Sequence, residues 1–250
     1  MMRGLLYAIG FLTRIPVPVS VFDDTRARRQ SVLAYPLVGL LLGLILAGLG
    51  LLLEGDDNLL ASALILVIWV GLTGGLHLDG LADSADAWIG GLGDRLRTLD
   101  IMKDPRCGPS AVVAVVLLLL TKLAALQAMP GPLRMPALLL APLLGRTALT
   151  ALLASTPYAR AKGLASGLAG SGPAPWLVVT AALLASLLAG VDGLLASVAA
   201  GTVFGLWRQA GMRRLGGYTG DTAGAMAGGV ELAVLVVMGL RLGWARAFGV

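Results

Sequence analysis

The sequence predicts an all-α fold: a polytopic integral membrane protein with about seven transmembrane helices and an N-terminal interfacial helix, in one domain over residues 1–250. Charged residues make up only 13% of the 250 residues, about half the share of a soluble domain, and hydrophobic residues make up 57%. Several apolar runs reach about 20 residues, the length that a helix needs to cross a bilayer. The 35 glycines suit close contact between helices in lipid.

The first third of the chain contains the interfacial helix, two spans and a polar insert. Residues 1–18 are apolar on most faces, lack a small-residue cleavage site and end at two prolines, which predicts an interfacial helix rather than a signal peptide. A polar linker follows over residues 22–31. The first two spans are expected over about 35–53 and 59–76. Residues 77–108 carry too many charges to lie in hydrocarbon, so we expect them to form a cytoplasmic catalytic insert.

The rest of the chain contains the remaining predicted spans. Apolar runs over about 109–129, 136–155 and 227–242 each have the length of one span. The run over 176–207 is too long for a single span. A break at Gly190–Gly193 divides it, so we expect two short spans there.

The distribution of basic residues predicts the orientation. If the N-terminus is cytoplasmic, fourteen lysines and arginines fall inside and three outside, which is the usual bias of cytoplasmic loops. The fourteen are Arg3, Arg14, Arg26, Arg28, Arg29, Arg95, Arg97, Lys103, Arg106, Arg160, Lys162, Arg208, Arg213 and Arg214, and the three are Arg134, Arg241 and Arg246. We therefore expect a multi-pass protein of the cell inner membrane, with the insert, the segment around Tyr158 and the Thr219–Asp221 segment facing the cytoplasm.

Three aspartates in the insert indicate a cation site. Asp79, Asp83 and Asp86 are spaced by four and three residues, which places all three on one face of a helix. Like charges on one helix face repel each other, so a cation is expected to neutralise them. Ligands that are all oxygen favour a hard ion, Mg²⁺ or Mn²⁺, which commonly binds substrate phosphates as well. The pattern is typical of a carboxylate-rich phosphoalcohol transferase, although it names no substrate.

The composition excludes other kinds of site. With a single cysteine, Cys107, and a single histidine, the chain has neither an internal disulfide framework nor a Cys/His zinc site. A net charge of +5 is accounted for by the basic residues of the predicted cytoplasmic loops, so it does not indicate nucleic-acid binding.

Several motifs resemble one known family, the cobalamin 5′-phosphate synthases, also called adenosylcobinamide-GDP ribazoletransferases. The resemblance covers essentially the whole chain, and the combination of HLDGLAD with a downstream TGD is specific. The motifs are FLTRIPVP at Phe11–Pro18, YPLVG at Tyr35–Gly39, GGLHLDGLADSADA at Gly74–Ala87, IMKDPRCG at Ile101–Gly108, GRTA at Gly145–Ala148, YAR at Tyr158–Arg160 and LGGYTGDTAGA at Leu215–Ala225.

The resemblance implies a reaction and its participants. Members of the family join adenosylcobinamide-GDP to α-ribazole or its 5′-phosphate, and they release GMP, at the inner membrane and with Mg²⁺. The expected partners are therefore these two substrates and the lipid bilayer, with no nucleic acid. A homo-oligomer, or contact with other cobalamin-assembly enzymes, is left open, as is the phosphorylation state of the acceptor.

The resemblance also suggests roles for individual residues. Mg²⁺ would be held against the diphosphate, and an acidic group would take the proton of the attacking hydroxyl. The expected metal ligands are Asp79, Asp83 and Asp86; the expected catalytic residues are Asp104, Asp221, Arg146 and His77; and the expected substrate-binding residues are Lys103, Arg106, Gly217, Thr219 and Gly220.

Three alternatives remain open from the sequence. A CDP-alcohol phosphotransferase would also use carboxylates, but Asp83 stands where that family's motif has an arginine. A transporter would carry acidic residues across its spans, where Glu231 is the lone one here. Asp221 would have a purely structural role if its side chain only capped the last helix.

Overall fold

The computed structural model describes the backbone of residues 1–53, 58–129, 131–160 and 173–248, and the side chains of these residues apart from 131–133 and 242–248. The described part is helical, with one isolated bridge between Tyr158 and Tyr218 and no strand. Its helices are α1 (Met2–Leu12), α2 (Thr25–Ser31), α3 (Tyr35–Leu52), α4 (Asn58–Thr73), α5 (Leu76–Gly90), α6 (Arg95–Ile101), α7 (Pro109–Ala128), α8 (Gly131–Ser155), α9 (Ala174–Leu187), α10 (Val191–Leu215) and α11 (Gly220–Phe248). Lys162 and Pro130 lie outside the described residues.

The predicted class, an all-α polytopic membrane protein, is confirmed, but the described residues contain fewer than seven helices with the length and composition of a span. Within the described residues, four helical stretches are long and apolar enough to cross a membrane, or five if α4 and α5 count as one bent span. Two of the expected spans correspond to α9 and α10. Helix α9 has only 14 residues, fewer than the roughly 20 that crossing requires. Helix α10 has 25 residues, but its C-terminal part is polar and ends in two arginines.

The N-terminal helix is shorter than the predicted 1–18. Helix α1 ends at Leu12 because Thr13 is extended and its hydroxyl donates to the Ile9 carbonyl at 2.6 Å. Its Tyr7, Ala8 and Leu12 are buried, and it packs on α2 and α3.

Helix α8 is the centre of the bundle. Its apolar stretch is 89% buried, and it contacts α3, α9, α10 and α11. The pairing with α3 is the most extensive, and Gly39 and Gly43 of α3 make it possible. A Cβ atom on Gly43 would lie 2.9 Å from the Cα of Leu139, so a larger residue would separate the two helices. Small residues spaced by four are a common way for membrane helices to approach closely.

A sharp break between α4 and α5 positions the acidic helix. Gly74 and Gly75 have φ angles of +60° and +70°, a left-handed conformation that glycine adopts without steric cost. The two helices therefore meet at 85°, and α5 packs across α11. A Cβ atom on Gly80 would lie 2.5 Å from the carbonyl oxygen of Asp221. The acidic face of α5 is thus held against the first turn of α11.

Arginines hold together the loops at this end of the bundle. Arg95 donates to the carbonyl oxygens of Leu215 at 2.7 Å and Ala159 at 3.0 Å. Arg214 donates to the carbonyl of Trp88 at 3.0 Å, near the C-terminus of α5. Cations are favourable beside helix C-termini, where carbonyl groups lack helical partners. The contacts confirm that the insert, the segment around Tyr158 and the start of α11 lie at the same end of the bundle.

Candidate functional site

A cavity of about 360 Å³ lies where α5 crosses the start of α11. Residues of α1, α3 and α8 form its apolar walls, including Phe11, Leu12, Leu149 and Leu153. Its polar lining comes from the first residue of α3, from α5, from the segment after α8 and from the start of α11. These polar residues are Tyr35, His77, Asp79, Tyr158, Arg160, Tyr218 and Asp221.

Asp221 enters the cavity from the first turn of α11, and its side chain does not cap that helix. Thr219 and Thr222 form the cap instead. The Thr222 N–H donates to the Thr219 hydroxyl at 3.2 Å, and the Thr219 N–H donates to the Thr222 hydroxyl at 2.8 Å. The alternative that Asp221 is merely a helix cap is therefore wrong. Its Oδ2 accepts from Arg160 at 2.9 Å and from the Thr219 hydroxyl at 3.3 Å.

Asp79 and Asp83 lie on the face of α5 that is directed towards Asp221. The predicted helix is present, and Asp83 is close enough to Asp79 and Asp221 for their charges to act on it. No group within the described residues donates a hydrogen bond to the carboxylate of Asp79 or Asp83. Two carboxylates one turn apart without protein donors have the chemistry of a hard-cation site.

Asp86, expected as a metal ligand, has a structural role instead. Its Oδ2 accepts from the Gly108 N–H at 2.6 Å and its Oδ1 from the Ala111 N–H at 2.9 Å, so it caps the N-terminus of α7. A Cβ atom on Gly108 would lie 2.7 Å from Asp86 Oδ1, so a residue with a side chain at this position would disturb the cap. The expected trio of Asp79, Asp83 and Asp86 is not assembled: the described residues contain no group of three acidic, histidine or cysteine side chains arranged for a metal.

The turn after α6 does not reach the cavity. Asp104 forms a two-pronged pair with Arg106, whose Nη2 lies 2.5 Å from Oδ2 and whose Nε lies 2.9 Å from Oδ1. Hydrogen bonds from the Arg106 side chain and backbone lower the pKa of Asp104 to about 2. Lys103 pairs with Asp100 at 3.3 Å. The structure thus places Asp104, Lys103 and Arg106 in local surface pairs, away from the lining of the cavity.

Arg146 is fully buried and contacts Glu231 of α11. Glu231 also accepts from Lys122 Nζ at 2.5 Å, and that ammonium lies 4.4 Å from the centre of the Trp69 ring. A charge in mid-span usually has a partner, and here that partner is Glu231; Arg146, expected as a catalytic residue, does not line the cavity.

His77 lies at the floor of the cavity and is 6% exposed. Neither of its ring nitrogens has a hydrogen-bond partner among the residues that the structure describes. The side chain therefore remains available to a ligand, as the sequence suggested.

The two glycines predicted to approach the substrate differ in their surroundings. A Cβ atom on Gly217 would collide with the Pro157 carbonyl, so this glycine lets the chain pair with the segment before Tyr158. The pairing consists of Tyr218 N–H donating to Pro157 O at 3.0 Å and Ala159 N–H donating to Tyr218 O at 2.8 Å. Gly220 lines the cavity, and a Cβ atom there would meet nothing within 4 Å.

The site residues expected from the sequence did not include Arg160, Tyr158 or Tyr218, although the YAR and LGGYTGDTAGA motifs contain all three. The rings of Tyr158 and Tyr218 lie 5.3 Å apart in an edge-to-face arrangement. Burial raises the pKa of Tyr158, and it raises the pKa of Tyr218 to about 12. Both hydroxyls therefore keep their protons near neutral pH and can donate to an anionic ligand.

An apolar helical bundle with carboxylates, an arginine and tyrosines around one cavity defines an integral membrane enzyme, a transferase whose site contains several carboxylates. Residues 4–239 match the model of the family described as Cobalamin-5-phosphate synthase, and the chain belongs to this family. The resemblance drawn from the motifs is thereby confirmed.

Curated relatives match over nearly their whole length. Adenosylcobinamide-GDP ribazoletransferase of Stutzerimonas stutzeri (strain A1501) is 52% identical over 97% of this chain and 100% of the relative. The proteins of the same name from Pseudomonas paraeruginosa and Pseudomonas aeruginosa are 51% and 50% identical, each over 96% of this chain and 98% of the relative. No solved structure matches the chain.

Proposed function

We propose that this chain is an adenosylcobinamide-GDP ribazoletransferase, which joins adenosylcobinamide-GDP to α-ribazole or its 5′-phosphate and releases GMP. The observation that carries the proposal is the match, at about half identity and over the full length, to relatives of that name. The cavity supports it, because two carboxylates, an arginine and tyrosines line it together. Neither a transporter nor a CDP-alcohol enzyme is favoured by this family membership.

In the proposed reaction, the ribazole hydroxyl oxygen forms a bond to the phosphorus attached to cobinamide. The bond from that phosphorus to the GMP oxygen breaks, and the hydroxyl proton passes to a base. Asp221 is the base that the geometry supports best. Arg160 and Thr219 both donate to its Oδ2, which leaves Oδ1 without a hydrogen bond among the described residues and open to the hydroxyl. Asp104 is withdrawn from this role because Arg106 occupies it.

Asp79 and Asp83 are the residues proposed to hold Mg²⁺, and their all-oxygen, unpaired carboxylates fit that ion. When bound, Mg²⁺ supplies positive charge to the diphosphate oxygens as the leaving group departs. Asp86 is left out of this set because both its oxygens cap α7. The chain itself contributes orientation: α5 and α11 fix the carboxylates relative to Asp221, and Thr219 and Arg160 fix the direction of Oδ1.

The size of the cavity sets how the substrates lie. At about 360 Å³ it is near the lower end of ligand pockets, enough for a small nucleoside but not for a whole corrinoid with its nucleotide. We therefore place the acceptor inside the cavity and the corrin ring outside it.

For the location we propose the cell inner membrane, with the cavity facing the cytoplasm. Basic residues from distant parts of the chain gather at the cavity end, which is the pattern of a cytoplasmic face. Cysteine labelling tests this: an Arg97→Cys protein in which the exposed Cys107 is replaced by serine is expected to react only with a reagent supplied from the cytoplasmic side. Labelling from the periplasm alone would reverse the orientation.

The activity is tested with purified protein in lipid, supplied with adenosylcobinamide-GDP and α-ribazole 5′-phosphate. Formation of the joined cobalamin product with release of GMP is expected, and a CDP-alcohol donor in the same preparation should give no product. Turnover of the CDP-alcohol alone would contradict the proposal.

A further inference from the structure

Besides the ring nitrogens of His77, three buried donor atoms around Tyr158 have no hydrogen-bond partner within the described residues. They are Nη2 of Arg28, Nε of Arg160 and the hydroxyl of Tyr218. Burying a polar group without a partner is costly, and more so for a cation. A ligand with several acceptor oxygens would satisfy all three, so their position indicates what the ligand must present.

The three donors come from different elements and lie around Tyr158. Arg160 is close enough to Tyr158 for its charge to act on that side chain, and its Nη2 lies 2.9 Å from Oδ2 of Asp221. The ring of Tyr218 lies 5.3 Å from that of Tyr158. Arg28, from α2, is near enough for its charge to act on Tyr158 and on Tyr35, which also lines the cavity.

Arg28 has no acidic partner in the described part of the chain. Asp24, the nearest acid along α2, pairs with Arg3 at 2.9 Å, while its other oxygen caps the helix. A partly buried guanidinium that has no carboxylate partner is unusual unless an anion binds to it. Arg29, the next residue, is exposed.

We infer that Arg28, Arg160 and Tyr218 form a phosphomonoester subsite of the cavity, which binds the 5′-phosphate of the acceptor nucleoside. Naming that substrate rests on the proposed function. The cavity is polarised, with the free carboxylate of Asp79 on α5 and unpaired donors around Tyr158. The diphosphate of the donor substrate belongs with a metal at the carboxylates. The remaining phosphate has no metal of its own and therefore requires guanidinium and hydroxyl donors.

The test compares two acceptors, α-ribazole 5′-phosphate and α-ribazole, on wild-type protein, Arg28→Gln and the matched control Arg29→Gln, all purified in lipid. Arg28→Gln is expected to raise KM for the phosphorylated acceptor about tenfold to a hundredfold, the usual effect of a lost charged hydrogen bond. KM for unphosphorylated α-ribazole should stay near wild type. Arg29→Gln should leave both values unchanged.

Two other outcomes would overturn the inference. If Arg28→Gln raises KM only for adenosylcobinamide-GDP, the donors contact the diphosphate. If it changes neither acceptor, or both equally, the subsite does not recognise the 5′-phosphate. Thermal unfolding shows whether Arg28→Gln is folded, and Arg28→Lys, which keeps the charge but loses the planar fork, provides a second variant with an intermediate KM expected.

Direct binding separates this inference from the proposed function. Titration calorimetry of each acceptor onto the same proteins needs no turnover. Loss of affinity for the phosphorylated acceptor alone in Arg28→Gln supports the subsite even if no product forms. An active wild-type enzyme whose affinity for both acceptors is unaffected by Arg28→Gln would keep the function and reject the subsite.

Discussion

Replacing Gly80 by alanine should separate the acidic helix from Asp221. A Cβ atom at Gly80 would lie 2.5 Å from the Asp221 carbonyl oxygen, whereas ordinary contact begins at 3.4 Å, so α5 and α11 must part by about 0.9 Å. Overpacking of this kind costs about 1–3 kcal/mol of stability. A misplacement of about 1 Å between catalytic groups lowers turnover about a hundredfold. We therefore expect Gly80→Ala to fold and to lose about two orders of magnitude in kcat.

The assay measures product formation from adenosylcobinamide-GDP and α-ribazole 5′-phosphate, together with the thermal unfolding of the same protein. Gly228→Ala is the matched control, since it lies in the same interface but its Cβ would meet only ordinary contacts of 3.7 Å and 3.8 Å. Alanine also favours a helix over glycine, so this control should be at least as stable and fully active. Wild-type turnover in Gly80→Ala would refute the view that this crossing sets the geometry of the site.

Three further predictions follow from the same contacts. Asp221→Asn should fold normally but lower kcat by about 10²–10⁴ with little change in KM, because it removes a base; normal turnover would exclude that role. Asp79→Asn and Asp83→Asn should each lose most activity, as should the wild type in excess EDTA. Asp86→Asn should mainly lower the melting temperature, because Asp86 caps α7. An Asp86→Asn protein that is as inactive and as stable as the other two variants would show that Asp86 is a metal ligand. Glu231→Gln should lower the free energy of unfolding by about 3–5 kcal/mol because two buried cations lose their counter-charge, and an unchanged denaturation midpoint would show that the cluster is hydrated.

The parts of the site that follow from local periodicity could be predicted from the sequence. The spacing of Asp79 and Asp83 predicts their shared helix face, and the basic residues predict which loops meet at one end. Motif order also indicated that Asp221 is a site residue. These inferences need only the geometry of a single helix or the charge bias of loops.

Other features depend on which atoms meet across the fold. The spacing of Asp86 from Asp79 and Asp83 is that of a metal ligand, but N–H groups at the N-terminus of α7 donate hydrogen bonds to both of its oxygens. Arg146 resembles a phosphate ligand until Glu231 is seen opposite it, 85 residues away in the chain. The predicted number of spans was too high because the apolar run over 176–207 does not show that α9 is short or that α10 continues into a polar, arginine-containing end. The role of Arg160 depends on the position of Asp221, which no local pattern contains.

Because α5 packs on the first turn of α11 at Gly80 and Asp221, the site can be assembled only late in the synthesis of the chain. Asp79 and Asp221 are 142 positions apart in the sequence. At a translation rate of about 5–20 residues per second, roughly 7–28 s pass between their emergence from the peptidyl-transferase centre. Throughout that interval the acidic helix lacks Asp221, the proposed base; Arg160 is added only part-way through, and Leu215, which accepts from Arg95, is added only near the end. With Asp221 in its proposed role, a nascent chain cannot catalyse the reaction before the first turn of its last helix has been made.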